Sequence, residues 1–123
     1  MPTSAPTNHT PGVLSTGSFR SYEHASRGTA SVIQLGDGER FARFENFRTS
    51  NGPDLRVYLS TTPSSGPGGN FADHYVELGQ LKGNIGDQNY VIPTQVSLQR
   101  YASVVIWCKR FSVPFAAAPI VTS

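Results

Sequence analysis

The stretch Ser103-Val-Val-Ile-Trp-Cys-Lys-Arg-Phe111 decides the fold, because its β-branched and aromatic residues suit a pleated surface. Read as a strand, it places Val104, Ile106, Cys108 and Arg110 on one face and Val105, Trp107, Lys109 and Phe111 on the other. Each face begins apolar and ends charged. The strand is therefore expected to run from the interior to a rim, with Cys108 at the transition and Arg110 as its nearest cation. Cys108 is the only cysteine of the chain and Trp107 the only tryptophan. A single thiol forms no internal disulfide, which leaves an inert core residue, an intermolecular bridge, a ligand or a redox group. A nearby cation favours a thiolate and burial disfavours it, so spacing alone leaves these readings open.

Upstream of this strand, Leu55, Val57 and Leu59 alternate with Arg56 and Tyr58, the period of a strand with one dry and one wet face. Phe41, Phe44 and Phe47 recur every three residues, and the flanking glycines favour a strand with a bulge over a helix. Segments 17–23, 28–35, 75–81, 88–92, 96–101 and 113–120 supply further short strands, punctuated by turns such as Gly36-Asp37-Gly38 and Gly52-Pro53-Asp54. Residues 60–70 (STTPSSGPGGN) read as a long loop too polar to pack. The expected fold is all-β, a sandwich or partly closed barrel of about 8–10 short antiparallel strands.

Composition agrees. Of the 123 residues, 15% are charged, while 12 glycines and 9 prolines break the chain at short intervals. A formal charge of +2, without clustered Lys/Arg and interleaved stacking aromatics, excludes a dedicated nucleic-acid binder. The uncharged segment 111–123 is too short and too rich in proline to span a membrane. Residues 1–13 read as a disordered tether or a remnant added for expression, and residues 14–123 as one domain. The tether suggests a secreted or surface-attached, extracytoplasmic protein. No nucleophile elbow, phosphate-cradling loop or zinc-ligand pair is present. Asp37, Glu39, Asp73 and Asp87 lack the regular spacing of a calcium loop, Asp54 is read as a turn-stabilising carboxylate, and no metal site is expected.

Three segments, Gly52-Pro-Asp-Leu-Arg-Val-Tyr-Leu-Ser60, Tyr75-Val-Glu-Leu-Gly-Gln-Leu-Lys-Gly83 followed by Asn89-Tyr-Val-Ile-Pro93, and Ser103-Val-Val-Ile-Trp-Cys108 leading to Phe111 and Phe115, resemble the DM13 domain. The resemblance runs from about Gly17 to Pro119. It implies a β-rich, usually extracytoplasmic module proposed to transfer electrons at cell surfaces. Its motif cysteine corresponds to Cys108, acting as a bare thiol or holding a prosthetic group such as haem. On that reading Cys108 is the catalytic or cofactor-binding group, Trp107 walls it and Arg110 tunes it. A haem would draw its second ligand from His24 or His74. In animals such domains accompany DOMON and other surface modules. Here the domain is expected to stand alone and the redox partner to be a separate protein, and whether the chain is itself an enzyme stays open. The competing expectation is a non-enzymatic surface-interaction module that binds through loop 60–70, with Cys108 as core.

Overall fold

The computed structural model describes residues 12–121. Nine strands are described: β1 Gly12–Ser18, β2 Arg20–Ser21, β3 Arg27–Gln34, β4 Arg40–Arg48, β5 Leu55–Ser60, β6 Tyr75–Gln80, β7 Gln88–Ile92, β8 Ser103–Cys108 and β9 Val113–Pro119. They form two antiparallel sheets, ordered β1-β3-β4-β7 and β2-β9-β8-β5-β6. The expected all-β architecture is present as an open sandwich rather than a closed barrel. The tether expected over residues 1–13 lies, through Pro11, outside the described residues. Gly12 and Val13 already pair with Gln34 and Ile33.

The inner faces of both sheets share one apolar core. Leu55, Val57 and Leu59 of β5, Val104, Ile106 and Cys108 of β8, and Ala30, Val32, Ala42, Phe44, Tyr90 and Ile92 of the opposing sheet meet there. Each large side chain removed from water contributes about 1.5–3 kcal/mol. Phe19 lies where the chain leaves the first sheet for the second, and its ring packs 5.1 Å from both Phe44 and Phe47.

Phe44 and Phe47 share the inner face although they lie three positions apart, because β4 carries the expected bulge. Asn46 takes φ +53°, and the register of β3 against β4 shifts between Arg27 and Thr29. Gly28 faces this kink at φ +112°, where a Cβ would lie 2.7 Å from Phe47 Cα and 2.8 Å from the Glu45 carbonyl. The Asn46 N–H donates to Asp87 Oδ1 at 2.9 Å, which gives that carboxylate a structural partner. Phe41, by contrast, points outward in a cross-strand row with Val13, Ile33 and Val91.

Several expectations need correction. Segment 96–101 is not a strand: it forms a 3-10 turn at Leu98–Arg100, and only Leu98 of that turn is buried. The apolar spacing there reflects a short helical turn that caps the core. The β8 strand ends at Cys108, and residues 109–112 turn the chain into β9, with Ser112 at φ +55°. The outer face of β5 is not wet, since Tyr58 is buried and belongs to a second apolar cluster with Phe71, Val105, Trp107 and Ala117.

Loop 60–70 and the 3-10 turn Gly68–Ala72 that follows create this second cluster. Phe71 inserts onto the outer face, and backbone polar groups find side-chain partners. Ser60 Oγ donates to the Phe71 carbonyl at 2.8 Å, Ser103 Oγ to the Thr62 carbonyl at 2.7 Å, and Tyr22 Oη to the Ser64 and Gly66 carbonyls. The loop thus packs, although its own residues are polar, because one aromatic just beyond it supplies the apolar anchor.

Candidate functional site

Cys108 is fully buried, with 0% of its surface exposed. It closes β8 between Leu55 of β5 and Val113 of β9, its partners in register. Immediately beyond it the backbone is held to the rim, where the Lys109 N–H donates to the Asp54 carbonyl at 2.9 Å. Leu55 remains 8% exposed and forms part of an open cleft of about 350 Å³ lined by residues 51–55 and 80–84. The Gly-Pro-Asp turn explains itself here. A Cβ on Gly52 would lie 2.9 Å from both Leu55 Cδ2 and Phe115 Cζ, so a larger residue there would have to push these side chains aside. Cys108 therefore stands at the end of the core, with Leu55 between its strand and the cleft.

Charge gathers on the rim above it. Arg56 donates from Nε to Asp54 Oδ1 at 2.6 Å and from Nη1 to Glu77 Oε2 at 2.7 Å. The hydrogen bond from Arg56 holds the Asp54 carboxyl below its ordinary range, with the charges of Arg56, Lys109 and Arg110 adding to the effect. Asp54 was expected to cap backbone amides and instead takes the guanidinium. Arg110 is exposed in the turn after β8, so the strand alternation that would have set it on the face of Cys108 does not reach it. Its charge acts on Asp54. Arg40, Arg43 and Arg48 of β4 take no part in this rim. Arg56 lies in the other sheet, Arg43 pairs with Glu45 and Asp87, and Arg40 donates to the carbonyls of Pro93, Thr94 and Val96.

Trp107 occupies the opposite side of the sheet from Cys108 and is 5% exposed. Its ring stacks on Tyr58 at 6.0 Å between centroids with 22° between planes, and Tyr58 stacks on Tyr75 at 4.1 Å and 13°. Burial, then the hydrogen bond with Tyr75, raises the Tyr58 phenol above its ordinary range. Tyr58 and Tyr75 are the residues that sequence reading missed. The available signal was two tyrosines at outward positions on segments 55–60 and 75–81, but their pairing depends on a strand order that the sequence does not state.

The family model of DM13, described as "Electron transfer DM13", matches residues 18–120. The chain belongs to the DM13 family. No curated protein and no solved structure matches it. The match covers nearly all the strands of this DM13 domain, including the Gly52 turn, the β5–β6 pair and β8 with Cys108. Membership brings the electron-transfer assignment of the family to this chain.

The residues around Cys108 do not fit a haem. The sulfur is enclosed by core side chains, the described clefts are not lined by it, and His24 and His74 are both exposed. His24 packs against Phe115 with ring centroids 4.2 Å apart and planes tilted by 53°. Among the described residues no three His, Cys, Asp or Glu side chains gather as a metal site, and no helix is long and apolar enough to cross a membrane.

Proposed function

We propose that this DM13 domain, residues 14–123, is an extracytoplasmic one-electron carrier for a separate redox protein, with Cys108 as its redox group held just inside the rim. The observation that carries this reading is the position of Cys108 in a domain of the electron-transfer family: fully buried, yet terminal in β8 and one side chain from a cleft. A sealed sulfur does not meet a disulfide or a metal complex in the closed fold, whereas an electron crosses packed atoms without contact. In the oxidising direction the Cys108 thiol gives one electron to the acceptor protein and its proton to water through an opening of the rim. The thiyl left behind regains both when a donor reduces it. Trp107 and Arg110 border the group, the first on the far side of the sheet and the second on the rim. The polar, Pro/Thr-rich residues 1–13 support attachment outside the cytoplasm.

The test is a titration with one-electron mediators, read by electron count and by electron paramagnetic resonance, on wild type and Cys108→Ala. Wild type is expected to exchange one equivalent that the variant lacks. Identical titrations would overturn the assignment of Cys108. Protease treatment of intact source cells tests location: a protected domain would remove the extracytoplasmic part.

A further inference from the structure

Trp107, Tyr58 and Tyr75 lie in a line across the outer face of the five-stranded sheet, one from each of the adjacent strands β8, β5 and β6. Trp107 is the residue next to Cys108 in β8 and is almost fully covered, whereas Tyr75 is 43% exposed. Centroid steps of 6.0 Å and 4.1 Å, with planes 22° and 13° apart, set the rings in a stacked series from the interior to water. Packing alone would be served equally well by phenylalanine at 58 and 75. All three side chains present are instead the ones whose rings give up an electron at accessible potentials. Loop 60–70 and Phe71 keep water off the inner end of the line.

We infer that Tyr75, Tyr58 and Trp107 form a relay that passes single electrons between the domain surface and the interior beside Cys108. The inference rests on the electron-transfer reading above and deepens it by assigning the route. A one-electron acceptor, such as a metal complex or an oxidised haem or copper protein, docks at Tyr75 and takes an electron while the phenol proton leaves to water. Tyr58 then passes an electron to the Tyr75 radical and its phenol proton to the neighbouring Tyr75 oxygen by way of water, restoring the Tyr75 phenol. Trp107 refills Tyr58 with an electron, and a proton returns to the Tyr58 oxygen from water by way of Tyr75. One electron has then reached the acceptor, no proton has been lost, and the indole of Trp107 is a cation radical. Arg56, the register partner of Trp107, is neutralised by Asp54 and Glu77, which softens its opposition to positive charge on the ring.

The chain supplies a clean readout, because any indole radical belongs to Trp107. Laser photolysis uses a ruthenium(III) polypyridyl oxidant generated in the flash, on the full chain. Transient absorption is expected to show a tyrosyl signal that gives way to the indole radical. In Tyr58→Phe, which keeps the ring, the tyrosyl signal should persist and the indole yield should fall by at least about tenfold, equivalent to roughly 1.4 kcal/mol in the barrier. Tyr75→Phe should lose the early tyrosyl signal, and Tyr101→Phe, whose ring packs against the main core rather than the second cluster, should behave as wild type. Indole radical formed at the wild-type rate and yield in Tyr58→Phe and Tyr75→Phe would overturn the relay. Repeating the flash in Cys108→Ala separates the two proposals. A relay that persists there while the mediator titration loses no equivalent refutes the role of Cys108 alone, and a titration that depends on Cys108 with an indole yield indifferent to Tyr58 refutes the relay alone.

Discussion

Removing the side chain that separates Cys108 from the cleft should expose the thiol without unfolding the domain. In the closed fold the sulfur is inaccessible, so a thiol reagent labels it only when the rim opens. An opening that costs about 4 kcal/mol slows labelling roughly 1,000-fold relative to the unfolded chain. Leu55 flanks Cys108 in register and carries the overlying Gly52, so its contacts are lost in that opening. Buried Leu→Ala changes cost about 2–5 kcal/mol, and the open cleft beside Leu55 puts it at the low end, about 2 kcal/mol. Leu55→Ala should then label roughly 30-fold faster than wild type. The assay is the second-order labelling rate of the single thiol at low denaturant, with global stability from urea melts of the same samples. The control is Phe71→Leu, which loosens the second cluster on the far face and costs about 1–2 kcal/mol overall. Wild type that labels as fast as the unfolded chain would refute the reasoning. So would a Phe71→Leu variant that accelerates as much, per kcal/mol of lost stability, as Leu55→Ala.

Other substitutions and conditions test the remaining geometry. Cys108→Ser places a hydroxyl among hydrocarbons, so urea melts should show it less stable than Cys108→Ala by about 1–2 kcal/mol; the reverse order would mean that the sulfur faces a polar group. Gly28→Ala forces a Cβ into the β4 bulge at positive φ and should cost more than about 2 kcal/mol, seen as a loss of several degrees in Tm, whereas an unchanged Tm would refute the bulge. Alkaline titration followed by tyrosinate absorbance should ionise Tyr58 and Tyr90 last, because burial raises both phenols. The folded state holds those protons more tightly than the unfolded chain, so stability is intact below about pH 10 and falls as pH rises above it. Five tyrosines that titrate together before any unfolding would contradict this.

The fold was legible where one residue decides one position. Alternation in segment 55–59 placed Leu55, Val57 and Leu59 inside, and the three-residue spacing of Phe44 and Phe47 marked a bulge because a strand aligns such a pair only with one extra residue. What depended on distant residues was not legible. Tyr58 looked solvated beside Arg56 until loop 60–70 and Phe71 folded over it. The strand through Arg110 looked continuous, although the turn with Ser112 at positive φ stops it at Cys108. Of the candidate site, Cys108 and Trp107 were found from their singularity and the family motif. Their placement on opposite faces follows from alternation, while the tyrosine partners of Trp107 follow only from strand order.

Strand β8 runs through the middle of its sheet with hydrocarbon on both sides, the main core against one face and the Phe71 cluster against the other. Such surroundings have few dipoles free to reorient. A charge that arrives or departs there leaves its neighbours almost unmoved, so little nuclear rearrangement accompanies the jump, while any charge that lingers goes unsolvated. The architecture suits Trp107 as a group through which electrons pass quickly and on which they do not rest.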